Sequence, residues 1–485
     1  MHGVFSSVRN TRLRFLIAWL GFCGVASVQA QMPPDPGPAW LPPGEAPPNI
    51  LLIMADDLGW KDLACYGNRW VETPALDRLA RQGIRFTDAY AAAPVCTPTR
   101  AALMTGLAPA RLQITNHAPG HPPGFARPGS SLGSAAWTRH LALDQITLAE
   151  QLAAAGYATG FFGKWHLSYR PPHGEPPQEA DLRPRHQGFD VNFGGCDFGG
   201  PPSYFSPYRN PALGDGQAGE YLPDRLADEC VRFLKENRSR PWFVCLWNYS
   251  VHYPFQAPPQ LIEKYRRRQQ ETTEDIGNPV YLAMIEGMDR AIGRLLCGLQ
   301  ESGQAADTLV LFTSDNGPFA ADVRPLRGEK GYLYEGGIRV PLLIRQPGRV
   351  PPGNTCATPV ITMDLHATIL AATGVDPAGA ADGVDLGPLL DGGGSIDRES
   401  LFFHYPNHAF HKQNRLASAI RHGPHKLIWF PEDGSVELYQ LEQDIGEQHN
   451  LAAQQPERVR YLKKRLDEWL VETGANLPVP VSSSR

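Results

Sequence analysis

The stretch NILLIMADD, residues 49–57, is an apolar run that stops abruptly at two aspartates. Three further segments repeat this pattern: ATGFFGKWH at 158–166, PWFVCLWNYSVHYPF at 241–255 and DTLVLFTSDNG at 307–317. Runs that are apolar on both faces are typical of strands buried in a parallel or mixed sheet. The sequence therefore predicts that these four segments are strands of such a sheet.

Helices are predicted between these strands. In TLAEQLAAAG, Thr147 and Glu150 have the spacing of a capping box, and Gly156 marks the end of the helix. In NPVYLAMIEGMDRAIGRLLCGLQESG, Asn278 is the expected N-cap, Pro279 lies in the first turn, and apolar residues recur at helical spacing. The alternation of strands and helices predicts an α/β sandwich.

The N-terminal residues differ from the rest of the chain. Arg9, Arg12 and Arg14 precede an apolar run over 15–28, with a cleavage position after Ala30. This pattern predicts a secretory signal peptide at 1–30; a membrane anchor, the alternative, needs a longer run. No later stretch is long and apolar enough to cross a bilayer. We therefore expect an exported protein, periplasmic or secreted, without stable membrane insertion.

The remaining chain divides into three parts. Residues 31–48 are proline-rich and are predicted to form an extended leader. Residues 49–395 are predicted to form a large catalytic domain. Residues 396–485 carry segments typical of short antiparallel strands, followed by an amphipathic helix, and are predicted to form a smaller C-terminal subdomain.

Charge and cysteine content exclude two classes of function. The formal net charge is −5 and no basic stripe occurs, so nucleic acid is not an expected partner. The eight cysteines form no CxxC pair, so a zinc cage is not expected. Removal of Cys23 with the signal peptide leaves an odd number of cysteines in a compartment that permits disulfides, and an unpaired cysteine then needs an explanation.

Polar side chains follow all four predicted strands. Ligands of α/β sheets bind beyond the carboxyl ends of the strands, so these side chains are expected to meet at one rim. The rim residues are Asp56, Asp57, Lys164, His166, His252, Asp315 and Asn316. The three aspartates and the asparagine are individually typical of turns and caps. Together they offer the hard oxygen ligands that suit Ca²⁺ or Mg²⁺, and a cation would relieve the repulsion between them.

The stretch PVCTPTRAALMTG, residues 94–106, places a lone cysteine just before a predicted helix. A helix N-terminus favours anions and is expected to lower the pKa of the Cys96 thiol. Arg100 lies about one turn further on and is expected to reach back toward the same point. This context favours a cysteine that is nucleophilic or chemically modified; the alternative is an inert buried thiol.

Basic residues complete the predicted site. Lys164 and His166 end a predicted strand, where alternation puts both on one side, and Lys330 lies in a glycine-rich loop. Isolated lysines and histidines are commonly solvated or structural, but cations around a metal would hold a tetrahedral oxyanion. His166 or His252 could move protons near neutral pH. The other histidines considered are not expected to bind metal, although some could reach the far end of a substrate: His117, His121, His404, His408, His411, His422 and His425.

Several blocks of the sequence resemble the sulfatase family. CTPTR at 96–100, followed by ALMTG, resembles the family signature C-x-P-x-R. Flanking blocks match too: NILLIMADDLGW, GYATGFFGKWHL, HQGFD, FTSDNG, GEKGYLYEGGIRVP and LYQLEQDIGEQHNL. The resemblance spans about residues 49–451. It implies the alkaline-phosphatase-like fold, with a large mixed sheet flanked by helices and a small C-terminal antiparallel sheet with a helix.

The resemblance also implies the cofactors. In sulfatases the signature cysteine is oxidised to formylglycine, so Cys96 is implied to become an aldehyde whose hydrate attacks sulfur. A formylglycine-generating or sulfatase-maturating enzyme is the implied partner for this modification. Asp56, Asp57, Asp315 and Asn316, together with the hydrate oxygen at position 96, are implied to bind Ca²⁺, with Mg²⁺ as the alternative.

Roles for the basic residues follow from the same resemblance. Arg100 is implied to steady the hydrate, while Lys164, His252 and Lys330 hold the sulfate oxygens. His252 or Lys330 is implied to protonate the leaving alcohol. His166 is implied to take a proton from the second hydroxyl, which eliminates sulfate and restores the aldehyde.

The sequence therefore predicts a sulfuric ester hydrolase that acts on a sulfated carbohydrate or small molecule, with the open loop over 112–145 as a polar wall. The alternative is a phosphatase or phosphonate ester hydrolase of the same superfamily; a non-catalytic binding protein is a third reading. In one respect the chain departs from the family. Some members place a serine near the sulfate after HQGF, whereas DVNFGGCDFGG offers no equivalent, and Cys196 or Asp197 could line the pocket instead.

Overall fold

A mixed sheet of nine strands forms the centre of the protein. The computed structural model describes residues 46–169, 181–410 and 413–481. The predicted signal peptide, the predicted leader up to residue 45, and His411 lie outside the described residues.

The strands and helices of the described chain are as follows. The strands are β1 (Asn49–Ala55), β2 (Ile84–Tyr90), β3 (Leu132–Gly133), β4 (Ala158–Gly163), β5 (Val191–Phe193), β6 (Trp242–Trp247), β7 (Thr308–Ser314), β8 (Arg339–Arg345), β9 (Asn354–Cys356), β10 (Val360–Ile361), β11 (Ser400–Tyr405), β12 (Ala417–His422), β13 (His425–Trp429), β14 (Val436–Gln440) and β15 (Val479–Pro480). The helices are α1 (Pro74–Gln82), α2 (Cys96–Thr105), α3 (Pro109–Leu112), α4 (Leu148–Ala154), α5 (Leu222–Glu236), α6 (Pro259–Gln270), α7 (Pro279–Glu301), α8 (Glu335–Ile338), α9 (Thr362–Thr373), α10 (Gly387–Leu390) and α11 (Pro456–Glu472), with short 3₁₀ turns at Ala64–Tyr66 and Pro184–His186.

The large sheet has the strand order β10-β2-β8-β7-β1-β6-β4-β5, with β9 paired to β2. The four segments predicted from the sequence form β1, β4, β6 and β7, which confirms them as strands. They are parallel neighbours in the middle of the sheet. Strand β8 alone runs antiparallel to its neighbours β2 and β7. The carboxyl ends of the four central strands and the amino end of β8 therefore reach the same edge.

Both faces of this sheet are covered by helices. Along β1, Leu51 and Ile53 pack with residues of α1, α5 and α7, whereas Ile50 and Leu52 pack with residues of α2, α4 and α9. The predicted capping box at Thr147 is present at the start of α4. Because every residue of β1 is buried, its apolar run has no polar alternation, as a central strand between two helical layers requires.

A second, antiparallel sheet has the strand order β11-β12-β13-β14. One face packs against α11, through Leu462, Leu466 and Leu470. The other face packs against the large sheet's layer around Tyr90 and Val95. The predicted antiparallel strands and final helix are thus confirmed, while the predicted domain boundary after residue 395 stays a prediction.

Among the helices of the described chain, none has both the length and the apolar character that a membrane crossing requires.

Candidate active site

The predicted rim residues meet at one edge of the large sheet. Asp56 and Asp57 follow β1, and Asp315 and Asn316 follow the neighbouring β7. Lys164 directly follows β4. The antiparallel direction of β8 brings the preceding loop, which carries Lys330, to this same edge.

Three carboxylates and a thiol form the centre of the site. Ligand atoms of Asp56, Asp57, Cys96 and Asp315 all lie within 4.8 Å of one another, and all four residues are buried. The amide nitrogen of Asn316 donates to Asp57 Oδ1 at 2.7 Å. Its amide oxygen is buried and has no hydrogen-bond partner within the described residues. An unpartnered oxygen beside three carboxylates is an arrangement that a cation would complete.

Each carboxylate of this cluster contacts a basic side chain. Lys164 Nζ lies 2.7 Å from Asp56 Oδ2. Lys330 Nζ lies 2.5 Å from Asp57 Oδ1. Arg100 donates to Asp315 Oδ2 through Nε at 2.9 Å and Nη2 at 2.7 Å. We call these six residues the catalytic cluster.

Burial and charge act differently on the three carboxylates. Burial raises the pKa of Asp56 to about 8, against the opposing effect of Lys164. Burial alone would also raise the pKa of Asp57 and Asp315. The basic side chains around them, led by Lys330 at Asp57 and by Arg100 at Asp315 and joined by Lys164 at both, together outweigh burial and hold both pKa values below their usual range. Asp56 is thus the carboxylate least compensated by its present neighbours.

Cys96 is the first residue of α2, one position earlier than the sequence predicted. Its Sγ lies 3.6 Å from Asp56 Oδ1, and Cys96 is 1% exposed. Burial raises the pKa of its thiol to about 12, with Asp315 and Asp56 opposing the effect of Lys164 and Lys330. The prediction of a lowered thiol pKa is therefore wrong, because loss of hydration outweighs the helix N-terminus. Arg100 does reach this region, 3.9 Å from Asp56.

The two predicted histidines lie in loops beyond their strands. Strand β4 ends at Gly163, and His166 has a positive φ of 57°. The prediction that strand alternation places Lys164 and His166 is therefore wrong, because both residues lie in the loop after β4. His166 Nε2 lies 2.5 Å from the carbonyl oxygen of Ala118, while its Nδ1 is buried without a partner in the described chain.

His252 lies beside Asp57. Its Nε2 is 3.8 Å from Asp57 Oδ2, and its Nδ1 lies 2.6 Å from the carbonyl oxygen of Tyr253. Burial lowers the pKa of His252 to about 3, although the Asp57 carboxylate opposes that change. Burial and the charge of Lys164 also lower the pKa of His166. Both imidazoles are therefore neutral at physiological pH in the metal-free protein.

Two glycines follow Cys196 and pack against these histidines. A Cβ atom built on Gly199 would lie 3.0 Å from His166 Cε1, and one on Gly200 would lie 2.5 Å from His252 Nδ1. Cys196 is buried, with Sγ 3.9 Å from the hydroxyl of Tyr249. The segment in which some family members carry a serine near the sulfate thus approaches the site in this chain with glycine backbone.

His117 lies near the site, and sequence reasoning assigned it only a possible contact with the far end of a substrate. Burial lowers its pKa to about 3, with added effects from Lys330, Lys164 and His252. Only proximity in space produces these effects, because no spacing along the chain links His117 to those residues. The sequence signal available for His117 was its position in loop 112–145, which was predicted to form a polar wall.

The histidines of the small sheet form no metal cluster in the described part of the chain. His404 pairs with Ser418 at 2.8 Å, and His422 pairs with Ser400 at 2.9 Å. The prediction placed the metal at the carboxylates, and the carboxylate group with Cys96 is the candidate metal cluster found among the described residues.

Comparisons with known proteins bear on these observations. The family model "Sulfatase" matches residues 48–375, and the model "N-sulphoglucosamine sulphohydrolase, C-terminal" matches residues 328–474. Arylsulfatase A of Homo sapiens is 34% identical, with 86% of this chain and 87% of that protein covered. Steryl-sulfatase of Mus musculus is 33% identical, with 77% of this chain and 69% of that protein covered.

A solved structure shows the same architecture. Ps i-CgsB, crystallised in complex with k-i-k-neocarrahexaose, superposes with a TM-score of 0.71 at 28% identity, covering 87% of this chain and 93% of that one. The predicted alkaline-phosphatase-like fold, with its large mixed sheet and small antiparallel sheet, is confirmed. Since the family model spans well over half of the chain, the protein belongs to the sulfatase family and is a sulfuric ester hydrolase.

Proposed function

We propose that the protein hydrolyses sulfate esters of carbohydrates, using a formylglycine hydrate made from Cys96 and a bound Ca²⁺, with Mg²⁺ as the alternative ion. The observation that carries this proposal is the buried group of Asp56, Asp57, Asp315 and Cys96, whose ligand atoms lie within 4.8 Å. The carbohydrate ligand of Ps i-CgsB supports the choice of substrate class.

The residues present fit both groups. Carboxylate and amide oxygens are the ligands that Ca²⁺ and Mg²⁺ prefer, and the unpartnered oxygen of Asn316 lies among them. An oxygen in place of Cys96 Sγ would lie beside Asp56. When bound, the cation favours a deprotonated oxygen nucleophile and neutralises developing charge. The aldehyde hydrate would supply that nucleophile and a second hydroxyl, whose deprotonation would re-form the aldehyde and break the C–O bond to the sulfate.

The basic side chains are proposed to hold the sulfate. Lys164 and Lys330 each contact one carboxylate at present. With those carboxylates neutralised by a cation, both amines are able to hold oxygens of an anionic ester. Arg100 is fixed by Asp315 and by the Lys164 carbonyl oxygen at 2.5 Å, so it keeps the cluster in place. His252 and Lys330 both contact Asp57 and are the candidates to protonate the leaving alcohol. Lys330 already carries the proton, whereas neutral His252, whose Nδ1 hydrogen faces the Tyr253 carbonyl oxygen, would first have to gain one on Nε2.

His166 is proposed to accept the proton that releases sulfate. Because its Nε2 lies 2.5 Å from a carbonyl oxygen, which can only accept, Nε2 carries the hydrogen. The other nitrogen, Nδ1, then carries a lone pair and has no partner within the described chain. A neutral imidazole in this tautomer is suited to act as a base.

Export and maturation complete the proposal. We propose that the predicted signal peptide directs the protein to the periplasm or outside the cell. A formylglycine-generating or sulfatase-maturating enzyme would act on Cys96 in the sequence CTPTR. Its action is testable without any activity assay, by mass spectrometry of the peptide that contains Cys96.

The test of function uses protein in which mass spectrometry has shown the aldehyde. Hydrolysis of 4-nitrophenyl sulfate, 4-nitrophenyl phosphate and a panel of hexose monosulfates is compared at equal enzyme concentration, with and without added Ca²⁺. We expect sulfate release from the aryl and hexose sulfates, with the phosphate ester cleaved more slowly. A clear preference for the phosphate ester would overturn the proposal in favour of a phosphatase or phosphonate hydrolase.

A further inference from the structure

Three aromatic side chains from separate parts of the chain meet beside Lys330. The ring of His117 meets that of Phe410 edge-on, with centroids 5.7 Å apart. Phe319 meets Phe410 from another side at 5.3 Å. Lys330 Nζ lies 5.9 Å from the centroid of Phe410. We call His117, Phe319 and Phe410 the aromatic wall.

The loop that carries His117 is fixed to the catalytic elements. The amide of Ala118, the next residue, donates to Thr97 Oγ1 at 3.1 Å, and Thr97 follows Cys96 in α2. The carbonyl oxygen of Ala118 lies 2.5 Å from His166 Nε2. The position of the aromatic wall is therefore tied to both the nucleophile position and the proposed base.

The chemistry of the wall combines an apolar surface with one hydrogen-bonding group. Phe410 is 40% exposed, which is unusual for so large an apolar ring. His117 Nδ1 lies 3.1 Å from Asn116 Oδ1, which can only accept, so Nδ1 carries the hydrogen. Nε2 then presents a lone pair and has no hydrogen-bond partner in the part of the chain that the structure describes. Burial and the nearby lysines keep the pKa of His117 low, so this lone pair persists at neutral pH.

The geometry points to the aromatic wall as the surface that receives the alcohol part of the ester, selecting a pyranose ring that carries a free hydroxyl next to its sulfate. This inference rests on the proposed function, because it assumes that Lys330 holds the sulfate group. The alcohol is bonded to that sulfate and so must lie within a few ångströms of Lys330, where Phe410 is found. The C–H face of a pyranose stacks on an aromatic ring, and the neighbouring hydroxyl donates to His117 Nε2.

The test separates binding of the alcohol from binding of sulfate. For wild type, Phe410→Ala and His117→Ala, kcat/KM is measured on the best hexose monosulfate of the panel and on 4-nitrophenyl sulfate, and inhibition is measured with inorganic sulfate. Tyr461→Ala, an exposed aromatic on α11, is the matched control. We expect Phe410→Ala to lower kcat/KM roughly tenfold on both esters. We expect His117→Ala to lower it about tenfold on the hexose sulfate and only about twofold on the aryl sulfate, which has no hydroxyl.

Inorganic sulfate has no alcohol part, so its inhibition constant should stay within about twofold of wild type in both variants. Equal losses on both esters together with weaker sulfate inhibition would show a structural role and overturn the inference. The inference would also be wrong if His117→Ala kept the wild-type preference between the two esters. It would likewise be wrong if wild type cleaved the aryl sulfate but no hexose sulfate. If aldehyde-bearing wild type released sulfate from none of the esters, the proposed function itself would be wrong.

Discussion

Two groups of buried or largely buried charged residues in this protein differ in arrangement. The catalytic cluster contains Asp56, Asp57, Asp315, Arg100, Lys164 and Lys330. A second group, which we call the interface network, lies between the two sheets and contains Asp88, Glu335, Glu447, Arg339, Arg421 and Lys426. Each group has three acidic and three basic side chains, so formal charge alone does not distinguish a functional site from a structural one.

The arrangement of the charges does distinguish them. In the interface network the signs alternate: Lys426 Nζ lies 2.9 Å from both Glu335 and Glu447, and Glu335 also contacts Arg339 at 3.1 Å. In the catalytic cluster the acids are gathered together and the bases lie around them. Gathered acids with surrounding bases can accept a cation and an anion together, whereas alternating charges already satisfy one another.

The largest expected effect comes from removing the nucleophile position. Cys96→Ala should lower kcat/KM on 4-nitrophenyl sulfate by about 10⁴-fold or more, because no aldehyde can form. Its thermal unfolding should remain close to wild type, since a small buried side chain replaces another. Cys297→Ala, at an exposed cysteine, is the control and should keep full activity. Substantial activity in Cys96→Ala would show that the catalytic cluster is not the reacting centre.

Metal removal should affect the catalytic cluster and spare the interface network. Treatment with a chelator should lower activity about 100-fold or more. It should also lower the unfolding temperature, since a ligand at 100 times its Kd stabilises the native state by about 2.7 kcal/mol. Added Ca²⁺ should restore both. Asp315→Asn should reduce this Ca²⁺-dependent rise in unfolding temperature, whereas Glu335→Gln should keep it. An equal reduction of the rise in both variants would contradict the prediction that Ca²⁺ binds at the catalytic cluster and not at the interface network.

Breaking the interface network should cost stability more than catalysis. Lys426→Met leaves two buried carboxylates without their shared cation and should lower the free energy of unfolding by about 3–5 kcal/mol. Urea unfolding followed by circular dichroism measures this loss, and Ca²⁺ should not reverse it. The double variant Lys426→Met/Glu447→Gln removes one of the two stranded charges and should recover part of the loss. A double variant less stable than the single one would show that the alternating charges are not the stabilising feature.

The smallest expected effect is a pH dependence of stability. Burial raises the pKa of Glu447 from 4.5 to about 7, with Lys426 opposing and Glu335 adding to the rise. Between these values the native state holds a proton that the unfolded chain releases, so the free energy of unfolding falls as pH rises. In saturating Ca²⁺, wild type should therefore lose stability relative to Glu447→Gln between pH 5 and 8. Parallel urea midpoints for the two proteins across that range would contradict this assignment.

The sequence predicted the central strands and the meeting of the rim residues at one edge, because both have local signals. Apolar runs such as 50–55 end at polar residues of the candidate site, and parallel strands bring those ends together. No strand pattern locates Arg100 and Lys330, which were singled out by the helix after Cys96 and by a glycine-rich loop; the resemblance to sulfatases added their implied roles. Features that depend on distant contacts were missed. The reversed direction of β8, which delivers Lys330, has no signature in residues 339–345.

The burial of individual side chains was the other property that could not be predicted from the sequence. A helix N-terminus predicts a lowered thiol pKa for Cys96, but the pKa is raised because the small sheet and the Lys330 loop close over that position. His117 was assigned only a possible contact with the far end of a substrate for the same reason, since its neighbours His252 and Lys330 are distant in sequence. The pairing of Lys426 with Glu335 and Glu447 likewise joins segments that no spacing rule connects.

The depth of Cys96 has a consequence for biogenesis. In the folded protein its side chain is 1% exposed, and every residue of α2 around it is buried. An enzyme that converts the Cys96 thiol, as proposed above, would need the CTPTR segment exposed and would therefore act before the chain folds. Folding speed would then compete with the proposed maturation, and a sequence that folded faster would leave more molecules with an unconverted thiol.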